Sequence, residues 1–165
     1  MALMPSLNPR IVEALYAEAL SLAETVRVRF ERLRRDVAAQ AGTEPASTED
    51  DEDLRRVQIS CEALRTTTRV MHCLAWLLNH RAHFAGELSE LQLRRHGRLI
   101  ANFPASEADV VASLPDDVRA LVLESERLYQ RIQRLEQAWR QASLSGDSAV
   151  RRLRERLANA VESAA

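Results

Sequence analysis

The sequence predicts an all-α protein: an antiparallel three-helix bundle of long helices, with a short extra helix between the second and third. Three observations predict it. Apolar residues recur at spacings of three and four through three long segments. No segment shows the strict alternation of a half-buried strand. The five prolines and four glycines fall between the periodic segments, where they act as punctuation.

Helix one is expected over about residues 9–41. Asn8 is a suitable N-cap and Pro9 suits the first helical position, where its missing N–H costs nothing. Val12, Leu15, Ala19, Leu22, Val26, Phe30, Leu33 and Val37 form one apolar stripe that ends before Gly42. Residues 43–53, "TEPASTEDDED", read as a linker, with its acids complementing the N-terminal dipole of the helix that follows.

Helix two is expected over about residues 49–85. Leu54, Val57, Cys61, Leu64, Thr68, Met71, Ala75, Leu78, Ala82 and Ala85 keep heptad spacing for more than four repeats. A second stripe, Val70, Leu74, Leu77 and Phe84, joins midway, within "VMHCLAWLL". One stripe requires one partner surface and two stripes require two. Helix two is therefore expected to be central, enclosed by helices of its own chain or by a second subunit. Val70, Leu74, Trp76 and Leu77 are the candidates for core or self-association.

The short helix lies in "SELQLRRHG", with Ser89 and Gln92 as a capping box and Gly97 as the stop. Residues 98–112 are assigned no element. Helix three is expected over about residues 115–142, starting at Leu114-Pro115 with Asp116 and Asp117 in its first turn. Val118, Leu121, Ser125, Leu128, Ile132, Leu135, Trp139 and Ala142 form its stripe. "SLSGD" is read as an interruption. The bundle domain is thus residues 1–143, and residues 144–165 form an amphipathic, basic tail that could be a short helix, either docked or free. In that tail Arg151, Arg152, Leu153, Arg154 and Leu157 are the candidate partner-binding residues.

Composition narrows the functional classes. The chain has 165 residues, of which 46% are hydrophobic, enough to bury a core in one domain. Its net charge of −1 argues against polyanion binding by bulk electrostatics. All 23 basic residues are arginine. No apolar run approaches the roughly 18 residues of a spanning helix, and "MALMPSLNPR" lacks the apolar core of a signal peptide, so a cytoplasmic protein is expected. On one helix Cys61 and Cys73 would lie about 18 Å apart, too far for a disulfide, and free thiols fit a reducing compartment.

The sequence carries no recognisable catalytic constellation. His80 and His83, with His72 two turns earlier, could begin a metal site, but a third and fourth convergent ligand are missing from the pattern. There is no phosphate-binding glycine loop, nucleophile elbow or C-x-x-C pair. Neither an enzyme nor a cofactor is expected. Arg127, Arg131 and Arg134 share a helical face that nucleic acid could use, but Glu126 and Glu136 interleave with them.

Two stretches, "TTTRVMHCLAWLLNHRAHFAGELS" and "SLPDDVRALVLESERLYQRIQRLEQ", resemble the alphaproteobacterial DUF1465 family over roughly residues 8–142. The resemblance implies a dimeric three-helix bundle with a flexible C-terminal tail. It also implies a proteolytic adaptor that links ClpXP, with its response-regulator adaptor, to substrate transcription factors of the cell cycle. A cyclic-di-GMP-binding effector is an implied partner, and recruitment to a cell pole an implied location. The alternatives weighed beside it are a DNA-associated regulator and a purely structural helical bundle.

Overall fold

The computed structural model describes residues 8–40 and 48–162, with the side chains of 143–152, 155 and 158–162 left out of the description. Among the described residues there are five helices: α1 (Pro9–Gln40), α2 (Glu49–Phe84), α3 (Glu90–His96), α4 (Ala108–Ser113) and α5 (Asp116–Glu162), with no strand.

The helix starts follow local chemistry. The Asn8 carboxamide accepts from the Arg10 N–H at 2.9 Å. Thr48 caps α2 by accepting from the Asp51 N–H, and Glu49, Asp50, Asp51 and Glu52 occupy the first turn. The acids read as linker at 49–53 therefore belong to the helix, where they face its positive dipole end. The rest of that linker, residues 43–47, lies outside the described residues, as does the expected end of helix one at residue 41. Ser89 and Gln92 form the expected capping box of α3. Residues 98–112, given no element in the sequence reading, contain most of α4 and an irregular stretch that includes Asn102 at positive φ.

Two expectations about helix three need correction. Its helix does not stop at 142: α5 runs unbroken through "SLSGD" to Glu162. A single glycine in a helix costs only about 1 kcal/mol relative to alanine, so Gly146 is a weak stop without a capping partner. The direction of α5 also differs. α1 is antiparallel to α2 and α5, as Glu13–Arg81, Glu18–Arg131 and Arg29–Asp117 show. α2 and α5, however, run the same way, because Arg69 meets Ser125 and, farther along both helices, His80 meets Trp139. Residues 85–115 therefore cross back along the molecule, carrying α3 and α4.

The core lies between α1, α2 and α5. It contains Val12, Leu15, Leu22, Val26 and Phe30 from α1, Val70, Trp76 and Leu77 from α2, and Val118, Val122, Leu128 and Ile132 from α5. Leu99 and Leu114 seal it from the crossover. Val70, Leu74, Trp76 and Leu77, the candidates for core or self-association, are all core.

Candidate interaction surface

The rotational setting of α2 decides which surface the protein presents. Its buried face is partly polar: Glu62, Thr66, Arg69 and His80 are shut off from solvent together with Ile59, Ala63, Cys73 and Trp76. A buried charge is tolerated only when paired and hydrogen-bonded, and this network is dense. Arg69 donates to Ser125 at 2.7 Å and to Ser106 at 3.0 Å, and lies 3.5 Å from the Glu126 carboxylate. Ser106 donates to Glu62 at 2.5 Å, and Glu62 also accepts from Thr66 and Arg65. The Ser106 N–H donates to Glu126. The crossover is thereby fastened to α2 and α5, and Phe103 packs edge-on against His72. Burial lowers the pKa of Arg69, and the carboxylates of Glu126 and Glu62 oppose that shift.

A second anchor sits one to three turns farther along. The His80 ring stacks on Trp76 with centroids 3.7 Å apart and meets the edge of Trp139 at 5.5 Å. Its Nδ1–H donates to the Trp76 carbonyl at 2.9 Å, while Nε2 has no partner among the described residues. Burial pushes the pKa of His80 down to about 4, keeping the imidazole neutral.

These anchors turn the polar side of α2 inward, so the heptad stripe faces out. Leu64 is 69% exposed, Val57 58%, Leu54 56%, Met71 55% and Leu78 47%. Cys61, Ala75 and Ala85 are also exposed, and Thr68 and Ala82 are half-buried. The stripe expected to need a neighbour, from its own chain or from a second subunit, is thus an uncovered apolar face along α2. Each large apolar side chain left in water forgoes about 1.5–3 kcal/mol that burial would contribute, and soluble chains seldom leave such a face contiguous without a use for it.

The tail candidates lie on the far end of α5. Leu153 and Leu157, one turn apart, are each 58% exposed, and Arg154 is exposed beside them. The side chains of Arg151 and Arg152 lie outside the described residues. The Glu18–Arg131 pairing places the start of α1 opposite about residue 140, so the last ~22 residues of α5 extend ~33 Å beyond it.

The remaining candidates are brought into other roles. His83 bonds the Leu88 carbonyl through Nδ1. Among the described residues no group of three or more His, Cys, Asp or Glu side chains is placed to hold a metal ion. Arg131, from the arginine face on α5, is held by both oxygens of Glu18. No helix of the described residues is long and apolar enough to cross a membrane.

Fold and surface together define a small all-helical protein whose middle long helix keeps one heptad face in solvent. A family described as protein of unknown function (DUF1465) matches residues 3–161, and the chain belongs to that family. No curated protein and no solved structure matches the chain.

Proposed function

We propose that this protein is a non-enzymatic protein–protein adaptor in regulated proteolysis, working as a homodimer that helps deliver cell-cycle regulators to the ClpXP protease. The observation that carries the association function is the outward apolar face of α2. The proteolytic part rests on the resemblance of residues 66–89 and 113–137 to RcdA, the regulator of CtrA degradation. That resemblance supplies the partner set: ClpXP with its response-regulator adaptor, a cyclic-di-GMP-binding effector and substrate transcription factors. It also supplies a cytoplasmic setting with recruitment to a cell pole. In this reading the exposed Leu153 and Leu157, with the arginines Arg151, Arg152 and Arg154, form the contact to one of those partners.

The test is capture from lysate with the full-length protein and with a Leu153→Asp/Leu157→Asp variant, followed by mass spectrometry. The expected result is recovery of the ClpX unfoldase, its response-regulator partner or a cell-cycle transcription factor by the wild type, and loss of at least one of them in the variant. Helical circular dichroism should be unchanged, because both leucines already face water. Recovery only of chromatin proteins that disappear on nuclease treatment would overturn this in favour of a DNA-associated regulator.

A further inference from the structure

We propose that α2 pairs through its outward stripe with the α2 stripe of a second copy, and that the two helices run antiparallel. The inference rests on the self-association in the reading above and adds the surface, the orientation and the register.

The occupant follows first from the repeat. A stripe with seven-residue periodicity fits another helix of the same periodicity, since each side chain then enters a hole formed by its neighbours opposite. The stripe runs the length of α2, which requires a partner helix of similar length, and a second copy supplies one.

The orientation follows from the sizes of the side chains. The N-terminal half of the stripe carries Leu54, Val57 and Leu64, and the C-terminal half carries Ala75, Ala82 and Ala85. In an antiparallel pair aligned over its whole length, Leu64 faces Ala75, Val57 faces Ala82 and Leu54 faces Ala85. Thr68 meets Met71 beside the two-fold axis, and Cys61 meets Leu78. Every layer then holds one larger and one smaller side chain, the arrangement that fills space evenly. A parallel in-register pair sets leucine on leucine at one end and alanine on alanine at the other, leaving voids in the second half.

Charge favours the same choice. Glu49, Asp50, Asp51 and Glu52 form the first turn of α2, whereas the last turn holds Arg81 and His83. Parallel pairing would bring two acidic turns side by side. Antiparallel pairing separates them by about 55 Å at 1.5 Å per residue.

The natural cysteine supplies an orientation marker. Cys61 is free and exposed. In a parallel pair it would face Cys61 of the second copy within disulfide reach. In the antiparallel register the two sulfurs belong to layers about 26 Å apart.

The experiment is sedimentation of the full-length protein across a micromolar dilution series, with four variants and one oxidation. The wild type is expected at about twice its 18.6 kDa chain mass. Leu64→Asp is expected to sediment as a monomer with unchanged helical circular dichroism. Leu64→Ala is expected to raise the dissociation constant at least about tenfold, and Ala75→Leu to do likewise by overpacking the same layer. Combined, the two substitutions should restore dimerisation, so that Ala75→Leu weakens the wild type but strengthens Leu64→Ala. Oxidation should give no Cys61–Cys61 dimer. Covalent dimers through Cys61, or strengthening by Ala75→Leu in both backgrounds, would overturn the antiparallel arrangement. A dimer indifferent to Leu64→Asp would overturn the surface, and a wild-type monomer the self-pairing itself. Partner capture reads the adaptor function separately, so it can stand if this inference falls.

Discussion

Arg69 on α2 donates to the hydroxyl of Ser125 on α5 at 2.7 Å, and both side chains are closed off from solvent. Through this bond the two parallel helices are held in one register, and the same guanidinium holds Ser106 of the crossover.

That arrangement predicts unequal costs at its two ends. Ser125→Ala removes one partner from a guanidinium that keeps Ser106 and Glu126, and should cost about 1–3 kcal/mol. Arg69→Ala removes the buried cation and strips the network around Glu62 and Ser106 of its centre, and should cost about 3–5 kcal/mol. Urea unfolding followed by circular dichroism measures both. Equal losses would mean that the serine, not the arginine, organises the network.

His80 predicts a pH dependence. Its folded pKa of about 4 lies below the ordinary value of 6.5. Between those values the unfolded chain binds a proton that the folded one refuses, so stability rises with pH across the window. The contribution is complete above about pH 6.5 and is lost as pH falls toward 4, by on the order of 2–3 kcal/mol. Comparing denaturation midpoints at pH 7 and pH 5 for the wild type and His80→Gln isolates it. The wild type should lose more stability on acidification than the variant.

The two thiols should differ sharply. Cys61 is exposed, whereas Cys73 is buried and burial pushes its pKa up to about 12. The reactive species is the thiolate. In the single chain, as in the Leu64→Asp variant, a thiol reagent at pH 8 should therefore modify one cysteine per chain quickly and the second only on unfolding. Peptide mapping should place the fast site at Cys61.

The crossover depends on two glycines for different reasons. Gly86 adopts φ +80° where the chain leaves α2, so Gly86→Ala should cost about 1 kcal/mol through the backbone alone. At Gly97 an added Cβ would lie 2.7 Å from the Leu93 carbonyl oxygen and 2.5 Å from its Cδ1. Leu93 is itself buried, so Gly97→Ala should cost more than Gly86→Ala, about 1–3 kcal/mol. Thermal melts rank the pair.

The starts of α1 and α3 were legible because caps are local: Asn8-Pro9, and Ser89 with Gln92, each act within one turn, and the acids before α2 marked its start at about residue 49. The core faces of α1 and α5 were legible because their stripes are apolar almost throughout. On α2 the second stripe, with Val70, Leu74 and Leu77, was legible as core, whereas the longer heptad stripe is not the core face. Its outward stripe is the cleaner apolar pattern, while its true core face is interrupted by Glu62, Thr66, Arg69 and His80. Hydropathy counts those four as surface. Partners 37 or more residues away in sequence, Ser106, Ser125 and Trp139, help make them interior. The direction of α5 was hidden for a related reason. The order of helices does not say whether the 31-residue connection turns back at once or first crosses the molecule.

That crossover also orders the assembly of the chain in time. α1 and α2 form an antiparallel hairpin from neighbouring sequence, so their contacts need little loop closure. α5 reaches the same side of α2 only after the crossover has been laid down. As the chain leaves the ribosome, Glu62 and Arg69 therefore stay hydrated while the outer heptad stripe is already complete. In the pairing proposed above, two such hairpins would meet through that stripe, and α5 would then pack on the opposite side of α2.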